Sequence, residues 1–287
     1  MTDKTFILGV GCQKGGTTWL HSQLIKHPAI DMGFTKEYHI FDYLYLKELP
    51  LEKRVNPLTA VINSKKANIS ESKKLKAMKI IAFYRDTKNY FEYFDSLLSK
   101  SNKTRIVGDI TPAYSGLTKD VFKHIKDQLQ DRGIKVKVIF LMRDPIERIW
   151  SSVRMNRRNR LKKEPQFVFQ KSEEQTILSV YQSKACERRT RYEKTISNIE
   201  SVFDSQNIFY GFYEKLFTTE SIRDIEDFLE ISNFNVDFNE QVNVSKKKFT
   251  SLKPKIAKGI FEYYKNTYLF CDSKFNTSEI WEGYKHF

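Results

Sequence analysis

The sequence is poor in cysteine and contains no long uninterrupted apolar run. Its three cysteines, Cys12, Cys186 and Cys271, are too few for a disulfide framework, and such sparse use is typical of a reducing compartment. No stretch predicts a membrane-spanning helix, and the N-terminus has no charged leader followed by an apolar segment. We therefore expect a soluble, cytoplasmic protein without a membrane span.

Internal repeats and a recognisable linker are also missing, so residues 1–287 are interpreted as one domain. Hydrophobic residues make up 40% of the chain and aromatic residues 14%, which is enough for a large core. The net charge of +14 favours an anionic partner, such as a polyanionic cofactor, an acidic acceptor, a nucleic acid or a membrane surface. The basic residues are scattered, which argues against a dedicated nucleic-acid arm.

The most informative stretch lies near the N-terminus, where an apolar run leads into a glycine-rich turn. Residues 6–10 predict a buried strand, and the apolar residues after the turn recur at helical spacing until Pro28. A strand, a glycine loop and a helix form a phosphate-binding arrangement. Glycines let backbone N–H groups surround an anion, and the helix N-terminus adds partial positive charge.

This loop lacks the lysine that a nucleoside-triphosphate-binding loop carries near its end. Counted from Gly11, that position holds Thr17, and Lys14 lies inside the loop itself. The loop therefore favours a nucleotide whose reactive group is on the 5′-phosphate over a metal-bridged triphosphate. One string closely resembles the 5′-phosphosulfate loop of sulfotransferases, which use 3′-phosphoadenosine 5′-phosphosulfate (PAPS): Lys14-Gly15-Gly16-Thr17-Thr18-Trp19-Leu20. The resemblance implies that these residues bind the donor and that Trp19 stacks on adenine.

A second candidate site follows the clearest strand of the sequence, residues 135–142. Asp144 followed by Pro145 predicts a helix N-terminus, with Arg143 just before it and Ser151 about two turns along. A guanidinium and a nearby hydroxyl suit a terminal phosphate, because arginine presents paired donors. The pattern resembles the 3′-phosphate motif of sulfotransferases, in which Arg143 and Ser151 would hold that phosphate.

Ionisable residues are dense after the predicted second strand, residues 29–32. This segment resembles one found in heparan sulfate sulfotransferases and bacterial relatives, where the glutamate is the general base. The resemblance gives Glu37 that role and gives His39 and Asp42 supporting or acceptor-contacting roles. His39 is the competing base, since alternate positions of an extended segment face the same side. We expect the first two strands to be neighbours, so that Lys14 and Glu37 flank one crevice.

Further strings resemble supporting elements of the same family. Residues 111–114 are similar to an element that would place Tyr114 at the acceptor, and Tyr213 matches a tyrosine that packs near adenine. Plain core packing is the alternative for Tyr213 and Trp19. Ile110 stands where heparan-acting enzymes often have lysine, which argues against a long sulfated-glycan acceptor.

A run of basic residues lies where the family has a basic loop over the 3′-phosphate: Lys246, Lys247 and Lys248. The run lacks the glycine and arginine of that loop, so a solvated charge run is an equal alternative. We interpret residues 43–100 as an insertion that covers the site and helps to bind the acceptor. The other predicted elements are strands at 105–109 and 208–212, and helices at 119–130, 176–204, 221–229 and 254–269.

Together these patterns predict a single α/β domain with a central parallel sheet of four or five strands, flanked by helices, and a P-loop-like phosphosulfate-binding loop. The predicted reaction transfers a sulfonyl group from PAPS to a hydroxyl or amine of a small-molecule, lipid or carbohydrate acceptor, without a metal. Lys14 would neutralise the leaving phosphate, and Glu37 would take the acceptor proton. The product would be 3′-phosphoadenosine 5′-phosphate (PAP).

The sequence leaves two alternative functions open. A P-loop-type kinase would use ATP and magnesium, but the displaced Lys14 argues against it. A basic module that binds nucleic acid or anionic lipid would explain the charge, but the cluster around Glu37 argues against it.

Overall fold

The structure, a computed structural model, describes residues 4–66, 69–240 and 252–286. Its centre is a sheet of five strands in the order β2-β3-β1-β4-β5, and every pairing is parallel. The prediction of a parallel sheet of four or five strands, flanked by helices in one α/β domain, is confirmed. The strands are β1 (Thr5–Gly11), β2 (Ile30–Asp31), β3 (Ile106–Ile110), β4 (Lys135–Met142) and β5 (Ile208–Phe212).

The described residues form α-helices between and after these strands. The first six are α1 (Thr17–Leu24), α2 (Ile40–Tyr45), α3 (Glu52–Ile62), α4 (Glu71–Arg85), α5 (Lys88–Lys100) and α6 (Lys119–Gln130). The others are α7 (Pro145–Lys163), α8 (Glu173–Val180), α9 (Lys184–Glu187), α10 (Tyr192–Glu200), α11 (Thr219–Leu229), α12 (Pro254–Tyr263) and α13 (Lys265–Phe275).

The order of the strands differs from the one expected from the chain. The expectation that β1 and β2 are neighbours is wrong, because β3 pairs with both of them. The five residues of β3 are all buried, which suits a position inside a parallel sheet, whereas β2 has only two residues and forms an edge. The carboxyl ends of β1, β3 and β4 still meet at one edge of the sheet, which is where ligands bind in such folds.

Two helices predicted as continuous are interrupted. The predicted helix at 176–204 is three helices, because Ser183 Oγ accepts from the backbone N–H of Cys186 (3.3 Å) and so starts α9 as a new helix. The predicted helix at 254–269 is divided at Tyr264, whose φ of −103° and ψ of 17° end α12. A short polar cap such as Ser183 starts a new helix without interrupting the apolar pattern of the sequence.

The core occupies both faces of the sheet. Phe6, Leu8 and Val10 of β1 point to one face, and Ile7 points to the other. On the first face α5 packs against the sheet, with the rings of Phe6 and Phe94 4.9 Å apart in an edge-on arrangement. Residues 43–100 therefore contribute to the main core through α5, while α3 has no buried residue.

Candidate active site

The chain leaves β1 through a tight loop and enters α1 at Thr17. Gly16, which precedes the helix, has a φ of 90°, and a Cβ there would lie 2.4 Å from Leu216 Cδ2. Lys14 also has a positive φ, of 73°. These left-handed residues fold the loop into a compact turn ahead of a helix N-terminus, which is the arrangement that attracts anions.

A cavity of about 710 Å³ opens in front of this loop. Among the described residues, its lining contains two acidic residues, Glu37 and Glu240, against five lysine and arginine residues. The basic residues are Lys14, Arg143, Arg154, Arg158 and Arg189. Burial, together with the charge of neighbouring arginines, lowers the pKa of Lys14 to about 8. The cavity is therefore electropositive and suited to a polyanion.

Arg143 lies at the end of β4 and is held against the loop. Its Nη1 donates to the backbone oxygen of Lys14 (3.3 Å), and its Nη2 pairs with Glu147 (3.1 Å). The guanidinium carbon lies 4.1 Å from the centre of the Tyr213 ring. Its Nε has no hydrogen-bond partner among the described residues. Arg143 is thus fixed in the wall of the cavity, and its Nε–H is left for a ligand.

The helix α7 begins as the sequence predicts and presents Ser151 to the same cavity. Asp144 Oδ1 accepts from the backbone N–H of Ile146 (2.8 Å) and of Glu147 (3.3 Å), which caps the helix. Ser151 is 6% exposed, one and a half to two turns from the cap, and lines the cavity with Arg143.

Sequence reasoning missed four further residues of α7 that line the cavity. They are Arg154, Met155, Arg158 and Asn159, which follow Ser151 at the spacing of one helix face. Arg154 is 6% exposed, and neither its Nε nor its Nη1 has a hydrogen-bond partner among the described residues. The spacing from Ser151 was the signal that could have identified this face.

Aromatic side chains form one wall of the cavity. Trp19 is stacked on Phe238, with ring centres 6.2 Å apart, and meets Phe217 edge-on at 5.0 Å. Its Nε1 donates to the backbone oxygen of Asp237 (3.2 Å), which fixes the indole plane. Tyr213 packs edge-on against Phe217 at 5.3 Å. The wall offers apolar faces to a flat ring, although Phe217 and Phe238 were not recognised from the sequence.

On the other side of the cavity lies a chain of ionisable groups. Glu37 Oε2 is 3.1 Å from His39 Nε2, and His39 Nδ1 is 2.7 Å from Asp42 Oδ2. Lys36 makes a close ion pair with Glu37. Glu37 and His39 line the cavity, while Asp42 is 1% exposed behind them.

These contacts shift the protonation of the cluster. Burial alone would lower the pKa of His39, but hydrogen bonds with Asp42 and Glu37 outweigh it and raise that pKa to about 9. Burial alone would raise the pKa of Glu37, but His39 and Lys36 outweigh it and lower that pKa to about 2. At neutral pH the cluster therefore contains a carboxylate at Glu37 and an imidazolium at His39.

A buried carboxylate at the end of β3, which sequence reasoning did not single out, holds this segment in place. Asp109 accepts from Thr111 Oγ1 (2.6 Å), Tyr114 OH (2.8 Å) and Tyr90 OH (3.0 Å). The backbone N–H of Tyr38 donates to Thr111 Oγ1 (3.1 Å), and Tyr114 OH accepts from that of Ile40 (3.2 Å). Burial raises the pKa of Asp109 to about 6. This network ties the Glu37 segment to the centre of the sheet.

The structure brings most of the predicted site residues to the one cavity. Those that line it are Lys14, Gly16, Thr17, Thr18, Trp19, Glu37, His39, Arg143, Ser151 and Tyr213. Gly15 lies in the loop but does not line the cavity, and Asp42 and Tyr114 are buried behind it. Lys246, Lys247 and Lys248 lie outside the described residues.

Two acceptor-related expectations concern residues away from this cavity. Tyr114 is fully buried, and its hydroxyl is used by Asp109 and Ile40 rather than directed at a ligand. Ile110 is 1% exposed and packs on Gly9, where a Cβ would lie 2.7 Å from its Cγ1. No described residue of 43–100 lines the cavity, so the proposed cover over the site stays a prediction.

The parallel α/β sheet and the glycine-rich loop ahead of α1 form a P-loop-like arrangement of the kind that binds anionic groups. Residues 3–286 match the sulfotransferase domain family, and the chain belongs to this family. Family and fold support sulfotransfer activity in general, and sulfotransferases generally use PAPS. A search of the curated proteins finds no match.

Solved structures are similar to this one over most of their length. A sulfotransferase from Alicyclobacillus acidocaldarius is 16% identical with a TM-score of 0.60, and the match covers 96% of this chain and 97% of that one. The sulfotransferase domain of the Synechococcus PCC 7002 olefin synthase is 14% identical with a TM-score of 0.47, covering 90% and 86% of the two chains. The first of these supports the fold.

The described residues contain neither a candidate metal-binding cluster nor a candidate membrane-spanning helix. No group of three or more histidine, cysteine, aspartate or glutamate side chains could hold a metal ion in that part of the chain. No helix within the described ranges is long and apolar enough to cross a membrane.

Proposed function

We propose that the protein transfers a sulfonyl group from PAPS to a hydroxyl or amine of an acceptor by in-line displacement. One observation carries the proposal: three separate segments, represented by Lys14, Arg143 and Glu37, line the same cavity. The first two supply positive charge, and the third supplies a carboxylate. This combination is what transfer of an anionic group to a protic acceptor requires.

The cavity matches the donor in the chemistry of its walls. The loop of Lys14, Thr17 and Thr18 would hold the phosphosulfate, and Arg143 and Ser151 would hold the 3′-phosphate. The unsatisfied Nε atoms of Arg143 and Arg154 support an anion in this part of the cavity, because buried donors without partners are costly. Phe217 and Phe238, which pack on the buried Trp19, are 40% and 44% exposed and offer a stacking surface for adenine.

The bound donor supplies a sulfonyl group already activated by its link to phosphate. A bond forms between acceptor and sulfur, the bond from sulfur to the phosphate oxygen breaks, and the acceptor proton leaves. Lys14 stabilises the charge that grows on the phosphate. Its pKa of about 8 lies above neutral pH, so Lys14 is mostly protonated, and a bound anion would strengthen that state.

Glu37 is the group proposed to take the acceptor proton. Its carboxylate is ionised at neutral pH, whereas the imidazolium of His39 has no free lone pair to accept a proton. In this arrangement His39 donates to Glu37 and Asp42, and it is a positioning residue. A pKa of about 2 makes Glu37 a weak base until an acceptor displaces part of its contact with Lys36 or His39.

The direct test is incubation of the protein with PAPS and a cell extract, followed by mass spectrometry. Products should gain one sulfonyl group only when the active protein is present, and a Lys14→Met variant should serve as the control. Addition of a metal chelator should leave the activity intact. Activity that disappeared with the chelator and returned with magnesium and ATP would favour a kinase instead.

A further inference from the structure

A second cavity, of about 330 Å³, adjoins the first along α7. The two cavities share Gln13 and Arg189 in their linings. The first uses the helix face of Ser151, and the second uses a neighbouring face that includes Ser152 and Asn156. A molecule could therefore extend from one cavity into the other past the side chain of Arg189.

The second cavity contains a buried arginine that lacks a carboxylate partner. Arg148 is 1% exposed, and the described residues form no ion pair with it. Its one hydrogen bond within the described ranges runs from Nη2 to Cys186 Sγ (3.0 Å), and its Nε has none there. A thiol is a weak acceptor for a group with five N–H donors. A buried charge in this state gains free energy from an anionic partner.

Two further arginines line the same cavity, and none of its lining residues within the described ranges is acidic. Arg157 is held by Nη1 donating to the backbone oxygen of Lys171 (2.9 Å) and by stacking 3.8 Å over the ring of Phe169. Arg189 donates to the backbone oxygen of Ala185 (2.8 Å). These contacts fix the guanidinium groups in place but leave their charge uncompensated.

The remaining walls of the second cavity are largely apolar. Val153, Phe169 and Val180 are among the residues that line it. Three arginines above an apolar wall suit a ligand with an anionic end and an apolar stem, since guanidinium groups bind carboxylates through paired hydrogen bonds.

We propose that this second cavity binds an anionic group of the acceptor, so that the enzyme prefers acceptors with a hydroxyl or amine at one end and a carboxylate at the other. The acceptor's reacting end would lie beside Glu37 and its carboxylate among Arg148, Arg157 and Arg189. This inference rests on the proposed function, because it identifies the acceptor class of the same reaction. The sulfonyl transfer and the fate of the proton are unchanged.

Calorimetry with two hydroxy acids, each compared with its methyl ester, tests the proposal. The probes are para-hydroxyphenylpropionate and ω-hydroxyhexanoate, with PAP present. At least one acid should bind the wild-type protein about tenfold or more tightly than its ester, the difference expected for a charged contact. Equal affinity of acid and ester for both probes would overturn the proposal.

Substitutions of the arginines that line the second cavity test whether this cavity causes the preference for the acid over the ester. Arg148→Met and Arg157→Gln should each remove most of the preference for the acid and leave PAP affinity unchanged. Arg160→Gln is the matched control, because Arg160 lies on the same helix 4.4 Å over the Phe167 ring but does not line the cavity. Arg157 is partly exposed, so its variant should fold even if Arg148→Met does not. A preference that survives Arg157→Gln would contradict the assignment.

The outcomes separate this inference from the function on which it rests. If neutral hydroxyl compounds are sulfated but acids bind no better than esters, the acceptor inference alone is wrong. If the acids bind through Arg157 but PAP does not bind and no compound is sulfated, the anion site stands and the proposed function is wrong.

Discussion

The half of the cavity proposed to bind the donor (the donor half) and the half proposed to bind the acceptor (the acceptor half) are built in different ways. Lys14 and Arg143 directly follow the central strands β1 and β4, and each is placed by its own strand, turn and helix. Glu37 follows the two-residue edge strand β2 and is held through Tyr38, which bonds to Thr111, 73 positions away. The donor side is therefore positioned by local sequence, whereas the acceptor side is positioned by a long-range polar network.

The two halves also differ in charge. On the donor side Arg143 and Arg154 keep buried nitrogen atoms without hydrogen-bond partners in the described structure. On the acceptor side the carboxylate of Glu37 is already matched by Lys36 and His39. The donor half therefore gains from an anionic ligand, and the acceptor half is nearly neutral before any ligand binds.

The largest expected effect comes from Glu37→Gln, which keeps the shape of the side chain and removes its basicity. Turnover should fall by about 10² or more, because general base catalysis contributes about 10²–10⁴, while PAP affinity stays nearly unchanged. Steady-state kinetics and calorimetry measure the two quantities. His39→Ala should cost less. An active Glu37→Gln enzyme beside an inactive His39→Ala enzyme would assign the base to His39.

Arg143→Ala should break the donor half and spare the acceptor half. The loss of a charged contact costs about 1.5–3 kcal/mol, so PAP affinity should fall about tenfold or more. Arg160→Ala is the matched control, because Arg160 is an exposed arginine of α7, the helix that follows Arg143, and pairs with Glu164 at 2.8 Å. Equal effects of the two substitutions in calorimetry would remove Arg143 from the proposed site.

Asp109→Asn should weaken the acceptor half of the cavity and leave the donor half unchanged. The side chain keeps its shape but loses the charge that accepts from Thr111 and Tyr114, so we expect a stability loss of about 1–3 kcal/mol and a weaker acceptor reaction. PAP affinity should change little. Asp95→Asn is the control, since Asp95 is a partly exposed ion-pair partner of Lys4. Chemical denaturation and acceptor KM measure the effect, and an unchanged KM would contradict the positioning role.

A change of pH should have a smaller effect, on the stability of the folded protein. The pKa of His39 is raised from 6.5 to about 9, so its contribution to stability is complete below pH 6.5 and is lost as the pH rises through 9. The pKa of Glu37 is lowered from 4.5 to about 2, so its contribution is lost only as the pH falls from 4.5 toward 2. Thermal unfolding of a His39→Gln variant should lack the alkaline decline of the wild-type protein. Identical alkaline slopes would show that His39 is not held in this way.

The contrast between the halves explains what could be predicted from the sequence. The strand-loop-helix pattern at Lys14 and the cap at Asp144 are local, so both elements and the parallel sheet were predicted correctly. Local patterns do not encode which strands pair, and so β3 was not expected between β1 and β2.

The site residues that were not predicted from the sequence fall into two groups, those with a local signal and those placed by long-range contacts. Arg154 and Arg158 follow Ser151 at helical spacing, so their position in the cavity was available from the sequence. Phe238 and the buried network of Asp109 reach their positions through contacts across the fold, and no short-range pattern indicates them. The lack of a carboxylate partner for Arg148 among the described residues likewise depends on its neighbours in space and not in sequence.

The proposed function requires that the cavity recognises phosphate at both the 5′ and the 3′ position of an adenosine nucleotide. Calorimetry of the wild-type protein with PAP and with 5′-AMP tests it most directly. The proposed 3′-phosphate contacts of Arg143 and Ser151, which both line the cavity, predict that PAP binds about tenfold or more tightly than 5′-AMP. Equal affinity for the two nucleotides would contradict the claim.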